Sequence, residues 1–205
     1  PLSSDTDQDG LNDRHEVDLK TDPSQPDTDK DGLKDGDEVF VRNINPSTPD
    51  SNLNGILDGD EDTDGDGLSD AEELYSHKTD PKVADTDLDG LNDGEEANIF
   101  KTNPIVADTD EDGLSAGSEV NIFSTDPLKP DSDNDGLSDG IEVNVVGTKP
   151  SVKDSDGDGI LDGNEDTEYE GLSDEEELNK SGTDPEEEDT EEEWIHEEDE
   201  ISIKN

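Results

Sequence analysis

Apolar side chains are sparse along this chain and fall on a fixed frame. One Leu or Ile stands at the seventh place of a recurring twelve-residue acidic phrase, at Leu11, Leu33, Ile56, Leu68, Leu91, Leu114, Leu137, Ile160 and Leu172. After the phrase, two more apolar residues can follow three apart, as in Val120 with Phe123 and Val143 with Val146. Residues three apart share a helix face, so a short helix is predicted from about the ninth place of each phrase. Gly at the tenth place weakens it, which limits it to one or two turns. The segments end at Asp22-Pro23, Asn45-Pro46, Asp80-Pro81, Asn103-Pro104, Asp126-Pro127 and Asp184-Pro185, with Lys149-Pro150 in the same role. Such steps start turns and disfavour helix at the residue before proline. The fold class predicted is an irregular repeat array of tandem loops, each followed by a short helix and an Asx-Pro turn, with little or no sheet.

The phrase starts at Asp5, Asp27, Asp50, Asp62, Asp85, Asp108, Asp131, Asp154 and Asp166, at intervals of 22, 23, 12, 23, 23, 23, 23 and 12 residues. Each unit has too few apolar side chains to bury by itself, so each is expected to pack on its neighbours. At the two 12-residue intervals the helix and turn are missing and two loops abut, which predicts closely coupled ions there. The second short interval follows the first by 104 residues and suggests two similar halves. The expected organisation is a repeat array over residues 1–185 and an acidic tail over 186–205.

Charge explains why such a chain can fold. It carries 65 Asp and Glu against 13 Lys and Arg, a net charge of −52, and only 23% of its residues are hydrophobic. Ordinary globular chains are about 45–50% apolar, so a conventional core is excluded, and with no Cys no disulfide framework replaces it. No run approaches the roughly 18 apolar residues of a membrane span, and the first residues hold no basic-then-apolar signal segment. Nucleic acid and anionic lipid are repelled, because phosphate binding needs clustered Lys and Arg. What remains is a disordered polyanion or a chain whose acids are neutralised from outside.

The order of the acids favours the second. D-x-D-x-D-G-x-x-D-x-x-E matches a calcium loop, in which places 1, 3, 5, 9 and 12 give side-chain oxygens, place 7 a backbone carbonyl, and the place 6 Gly makes the sharp turn. The expected ligands of loop 5–16 are Asp5, Asp7, Asp9, Leu11, Asp13 and Glu16, and those of loop 27–38 are Asp27, Asp29, Asp31, Leu33, Asp35 and Glu38. Loop 50–61 offers Asp50, Asn52, Asn54, Ile56, Asp58 and Glu61, and loop 62–73 offers Asp62, Asp64, Asp66, Leu68, Asp70 and Glu73. Next come Asp85, Asp87, Asp89, Leu91, Asp93 and Glu96, then Asp108, Asp110, Asp112, Leu114 and Glu119, with Ala116 at place 9. The last three sets are Asp131, Asp133, Asp135, Leu137, Asp139, Glu142; Asp154, Asp156, Asp158, Ile160, Asp162, Glu165; and Asp166, Glu168, Glu170, Leu172, Asp174, Glu177. Side-chain places hold 42 of the 65 acids. Magnesium fits poorly because it demands octahedral geometry and keeps its waters. Zinc lacks its ligands, since His15, His77 and His196 are isolated. About eight or nine Ca2+ ions are expected.

The phrase D-T-D-x-D-G-L-x-D-G-x-E, as in Asp85 to Glu96 followed by Thr102-Asn103-Pro104, resembles the bacterial thrombospondin type 3 repeats, which are related in loop chemistry to EF-hands and dockerins. The resemblance runs from residue 5 to about 185. It is closer than that to a standard EF-hand, because the apolar loop residue stands at place 7 rather than 8 and no long helix precedes each loop. It implies calcium-dependent folding in a bacterial secreted or cell-surface protein, as a spacer or stalk beside other domains.

Weaker copies temper the ion count. Asn52 and Asn54 remove two charges, Glu168 and Glu170 are one methylene long, and a tenth start at Asp189 has Trp194 where Gly belongs. The tail holds eleven acids between Glu186 and Glu200 and reads as a solvated end, or as an edge strand through Ile195, Ile201 and Ile203. Asn179-Lys180-Ser181 fits a glycosylation pattern only formally, and Phe40, Phe100 and Phe123 suit packing between repeats. No catalytic constellation is present. The leading expectation is a non-enzymatic extracellular spacer, stalk or fibre element whose partners are calcium and neighbouring domains or further copies of itself. A calcium-dependent adhesion or self-assembly module is the alternative, and a calcium buffer or mineral-binding polyanion a third.

Overall fold

The computed structural model describes residues 4–166, 172–178 and 185. The chain divides into two compact units, Pro1–Val106 and Ala107–Asn205. Among the described residues there are short helices and turns and no strand.

Each helix starts where a loop ends. Asn12, Ser69, Asn92, Ser115, Ser138 and Ser173, at place 8, cap it by accepting the backbone N–H three residues on. This accounts for the polar place 8: a capping oxygen satisfies a donor of the first turn that has no partner in the helix. Ser69 with Glu72 and Asn92 with Glu95 form complete capping boxes.

The first helix, Asp13–Leu19, is regular α. In the 23-residue repeats a three-residue α turn leads instead into a π turn, as in Asp35–Asp37 then Glu38–Arg42, and Asp93–Glu95 then Glu96–Phe100. In the second unit Ala116–Ser118 leads into Glu119–Phe123, and Asp139–Ile141 into Glu142–Val146. Among the described residues these helices end on a left-handed residue whose N–H reaches the place 12 Glu carbonyl, from Lys20 to Glu16 and from Lys101 to Glu96. The π turn thus absorbs the one residue by which the longer repeats exceed the first, and it keeps Glu and cap in register.

The interior is inverted. Leu11, Leu33, Leu68, Leu91, Leu114 and Leu137 are buried, but so are the place 12 acids Glu16, Glu38, Glu73, Glu96, Glu119 and Glu142 and most place 9 acids. Successive repeats touch through the Gly at place 10. A Cβ on Gly36 would lie 2.2 Å from the carbonyl oxygen of Asp9, and one on Gly94 the same distance from that of Asp66. In the second unit Gly140 meets the Asp112 carbonyl at 2.0 Å and Gly163 meets that of Asp135 at 2.8 Å. Gly at place 10 is therefore a packing requirement, a stronger constraint than its effect on helix strength.

The two abutting loops differ from the rest. Asp58–Asp60 and Asp162–Asn164 are single 3-10 turns, and the following Glu61 and Glu165 are extended. With no helix to cover it, place 7 is exposed, 48% at Ile56 and 44% at Ile160.

Candidate metal centres

Each residue type in the loop has a separate duty. The place 1 Asp folds the loop: Asp27 accepts the N–H groups of Lys30 at 2.6 Å and Gly32 at 3.3 Å. Gly at place 6 has φ between +94° and +114°, a region costly for side chains other than hydrogen. The place 5 Asp spends one oxygen on the loop, as Asp31 accepts Leu33 N–H at 2.8 Å, and keeps its other oxygen buried without a partner. Asp29 at place 3 and Glu38 at place 12 have both oxygens buried and unpartnered.

The place 9 acid links repeats. Asp35 is held by its own loop, accepting the Thr28 N–H at 2.8 Å and hydroxyl at 2.7 Å, and its carboxylate stands with Asp9 and Glu16 of the preceding loop within 4.8 Å. Asp58 stands in the same way with Asp31 and Glu38. A second group unites places 1, 3 and 5, as in Asp5, Asp7 and Asp9, or Asp62, Asp64 and Asp66. The place 5 Asp belongs to both groups.

The electrostatics match the geometry. Burial, with repulsion from Asp29, Asp31, Asp35 and Asp58, pushes the Glu38 carboxyl up to about 9. Glu16 is raised to about 7, and Glu73, Glu96, Glu119 and Glu142 to about 8, burial being the main cause each time. Asp110 and Asp133 at place 3 rise to about 6 by burial and by repulsion from the adjacent Asp112 and Asp135. Buried polar atoms are ordinarily partnered. Here the unpartnered ones recur at the same loop places and are nearly all carboxylate oxygens, which is the donor set of a hard cation. The residues fit calcium.

Two contributors escaped the sequence reading. The Thr of the T-D-P step holds the place 12 Glu: Thr79 donates to Glu73 at 3.3 Å, Thr102 to Glu96 at 3.0 Å, Thr125 to Glu119 at 3.2 Å and Thr148 to Glu142 at 3.1 Å. The Thr or Ser at place 2 orients the place 9 acid, as Thr86 does for Asp93 and Ser155 for Asp162. Their regular recurrence was the available signal. Glu168, Glu170, the Asp189 start, the Asn179-Lys180-Ser181 pattern and the tail lie outside the described residues.

The description "Bacterial TSP3 repeat" fits residues 5–26, 27–40, 62–84, 85–107, 108–130, 131–151 and 171–185, well over half of the chain. No curated protein matches. Two solved structures share short stretches: a biofilm associated protein B domain, 46% identical over 22% of this chain and 11% of its own, with TM-score 0.22, and a biofilm associated protein BSP domain, 45% identical over 22% and 8%, with TM-score 0.21. The chain thus spans about a tenth of the length of each. With calcium-type loops carried through seven matched repeats, the chain belongs to the bacterial TSP3 repeat family.

Proposed function

We propose that this chain is a calcium-loaded spacer or stalk segment of an extracellular surface protein, and that within each unit calcium joins neighbouring repeats through the place 9 acid. The observation that carries the reading is the place 9 acid, fixed by one loop and set among the unpartnered acids of the loop before it. Within a repeat Asp at places 1, 3 and 5, the place 7 carbonyl and Glu at place 12 would hold the ion, with the next repeat's Asp completing the set. Bound calcium supplies positive charge that lets five carboxylates share one buried space. The protein's own part is to pre-position them: the place 1 Asp shapes the loop, Thr and Ser at places 2 and 18 aim the acids, and Gly at place 10 admits the neighbour.

Dissociation constants of about 10⁻⁴–10⁻³ M are typical of extracellular calcium modules, which supports folding after export. The family is of structural rather than catalytic type. X-ray scattering with calcium and with chelator tests the stalk. A fixed maximum dimension with calcium and an expanded chain without it are expected; identical profiles would end the proposal. Phe40 and Ile99 in the first unit and Ile122 in the second are 65–70% exposed, which favours adhesion or self-assembly as a second reading. Sedimentation separates the two, since a stalk stays monomeric when calcium is added.

A further inference from the structure

Loop 50–61 is built differently from its neighbours. Its places 3 and 5 are Asn52 and Asn54, and both side-chain amides donate to Glu61 Oε1 at 2.8 Å. In loop 27–38 the corresponding Glu38 oxygens have no partner. The place 9 acid after loop 50–61 is Asp70, wholly buried, and it is already engaged. Thr63 donates its N–H and hydroxyl to it, and Arg42 Nε lies 2.8 Å from its Oδ2. That contact is an ion pair rather than an aligned hydrogen bond, and the Arg42 side chain is 9% exposed. Loop 27–38 with Asp58 offers five acids, whereas loop 50–61 with Asp70 offers only Asp50, Glu61 and Asp70, the last of them ion-paired with Arg42.

Further contacts close the same junction without any metal. The Tyr75 hydroxyl accepts the Lys34 N–H at 2.8 Å and donates to Asp37 at 2.8 Å, and the Lys34 ammonium lies 5.7 Å from the Tyr75 ring centre. Lys82 Nζ donates to the Val41 carbonyl. Loop 154–165, 104 residues further on, has Asp156 and Asp158 in place of the two Asn residues and Val146 in place of Arg42.

We propose that loop 50–61 takes no calcium, because the Arg42 guanidinium and the Asn52 and Asn54 amides do there what an ion does elsewhere, leaving the first unit one link that stays closed when the array is emptied. The inference rests on calcium filling the other loops and names the one that is exempt.

Ion counting on the full chain by native mass spectrometry tests it. The double variant Asp50→Asn with Glu61→Gln is expected to keep the natural count, while Asp27→Asn with Asp31→Asn loses at least one ion. The triple variant Arg42→Val, Asn52→Asp, Asn54→Asp is expected to gain one. In excess chelator, hydrogen exchange at the Lys34 and Asp70 amides should stay slow in the natural chain and become fast with Arg42→Val. A lost ion in the Asp50 and Glu61 variant, no gain in the triple variant, or fast exchange in the natural chain overturns the inference. If the Asp27 and Asp31 variant also keeps its count because no loop takes calcium, the calcium reading falls and this inference with it.

Discussion

At the residue scale, what distinguishes this chain is that, among the described residues, its most buried large side chains are carboxylates more often than leucines. Glu38 shows the consequence. Held near 9 in the metal-free fold, it keeps a proton that the unfolded chain, with an ordinary value of 4.5, gives up. The folded state then binds more protons between these values, so stability without metal falls as pH rises through that window and is recovered on acidification. Glu96 and Glu142, near 8, act in the same sense. In chelator, helical signal in far-UV circular dichroism is therefore expected to grow from pH 9 to pH 5. With calcium the trend reverses, because protons compete for the ligands; parallel trends would contradict the assignment.

Gly94 offers a test in which two physical effects have opposite sign. Helix propensity alone makes Gly94→Ala stabilising by about 1 kcal/mol. The Asp66 carbonyl 2.2 Å from the new Cβ makes it destabilising by about 1–3 kcal/mol, and packing should win. A higher melting temperature in calcium would show that repeats do not meet at this glycine. Thr102→Val should weaken calcium binding at its loop by about tenfold, as loss of an orienting partner commonly does. A calcium titration followed by amide shifts of residues 85–96 would reveal it, and an unchanged midpoint would remove Thr102 from the site.

At the scale of elements, the helix accommodates changes of length. The regular helix Asp13–Leu19 is one residue shorter than the segments 35–42 and 93–100, in which an α turn runs into a π turn, yet all deliver the same bond from cap N–H to Glu carbonyl. Removing Asn98 should convert the π turn to α and leave calcium-induced folding intact, with a melting temperature within a few degrees. Loss of folding would mean that the π turn has a purpose beyond length. Element existence was legible, since the predicted helix start near place 9 and its limit of one or two turns match what forms. The π geometry was not, because hydrophobic spacing over five residues does not separate a π turn from an α turn. The cap at place 8 is carried by Asn and Ser, polar residues on which the apolar pattern is silent.

At the scale of the molecule, each unit is held by chains of loop-to-loop contacts rather than by a shared apolar core. Produced separately, Pro1–Val106 and Ala107–Asn205 should each gain helical signal on calcium addition, measured by circular dichroism; a half that stays unfolded at millimolar calcium would show that the division is not one of folding. Eight divalent ions, one for each loop but 50–61, would cancel only sixteen of the 52 net negative charges, so the loaded chain keeps a charge that favours solubility.

The sequence alone determined the family, the loop frame, the calcium-type donor set and the near absence of sheet. All of these follow from residue types at fixed spacing, and a loop of twelve residues is a local object. Tertiary structure decided what no spacing contains: that the place 9 acid of one repeat reaches the acids of the repeat before it, that Gly at place 10 marks a backbone contact, and that Arg42 meets Asp70 across 28 residues. Those contacts depend on how neighbouring repeats stack, which is set by close approach of backbones and by where buried charge can be neutralised.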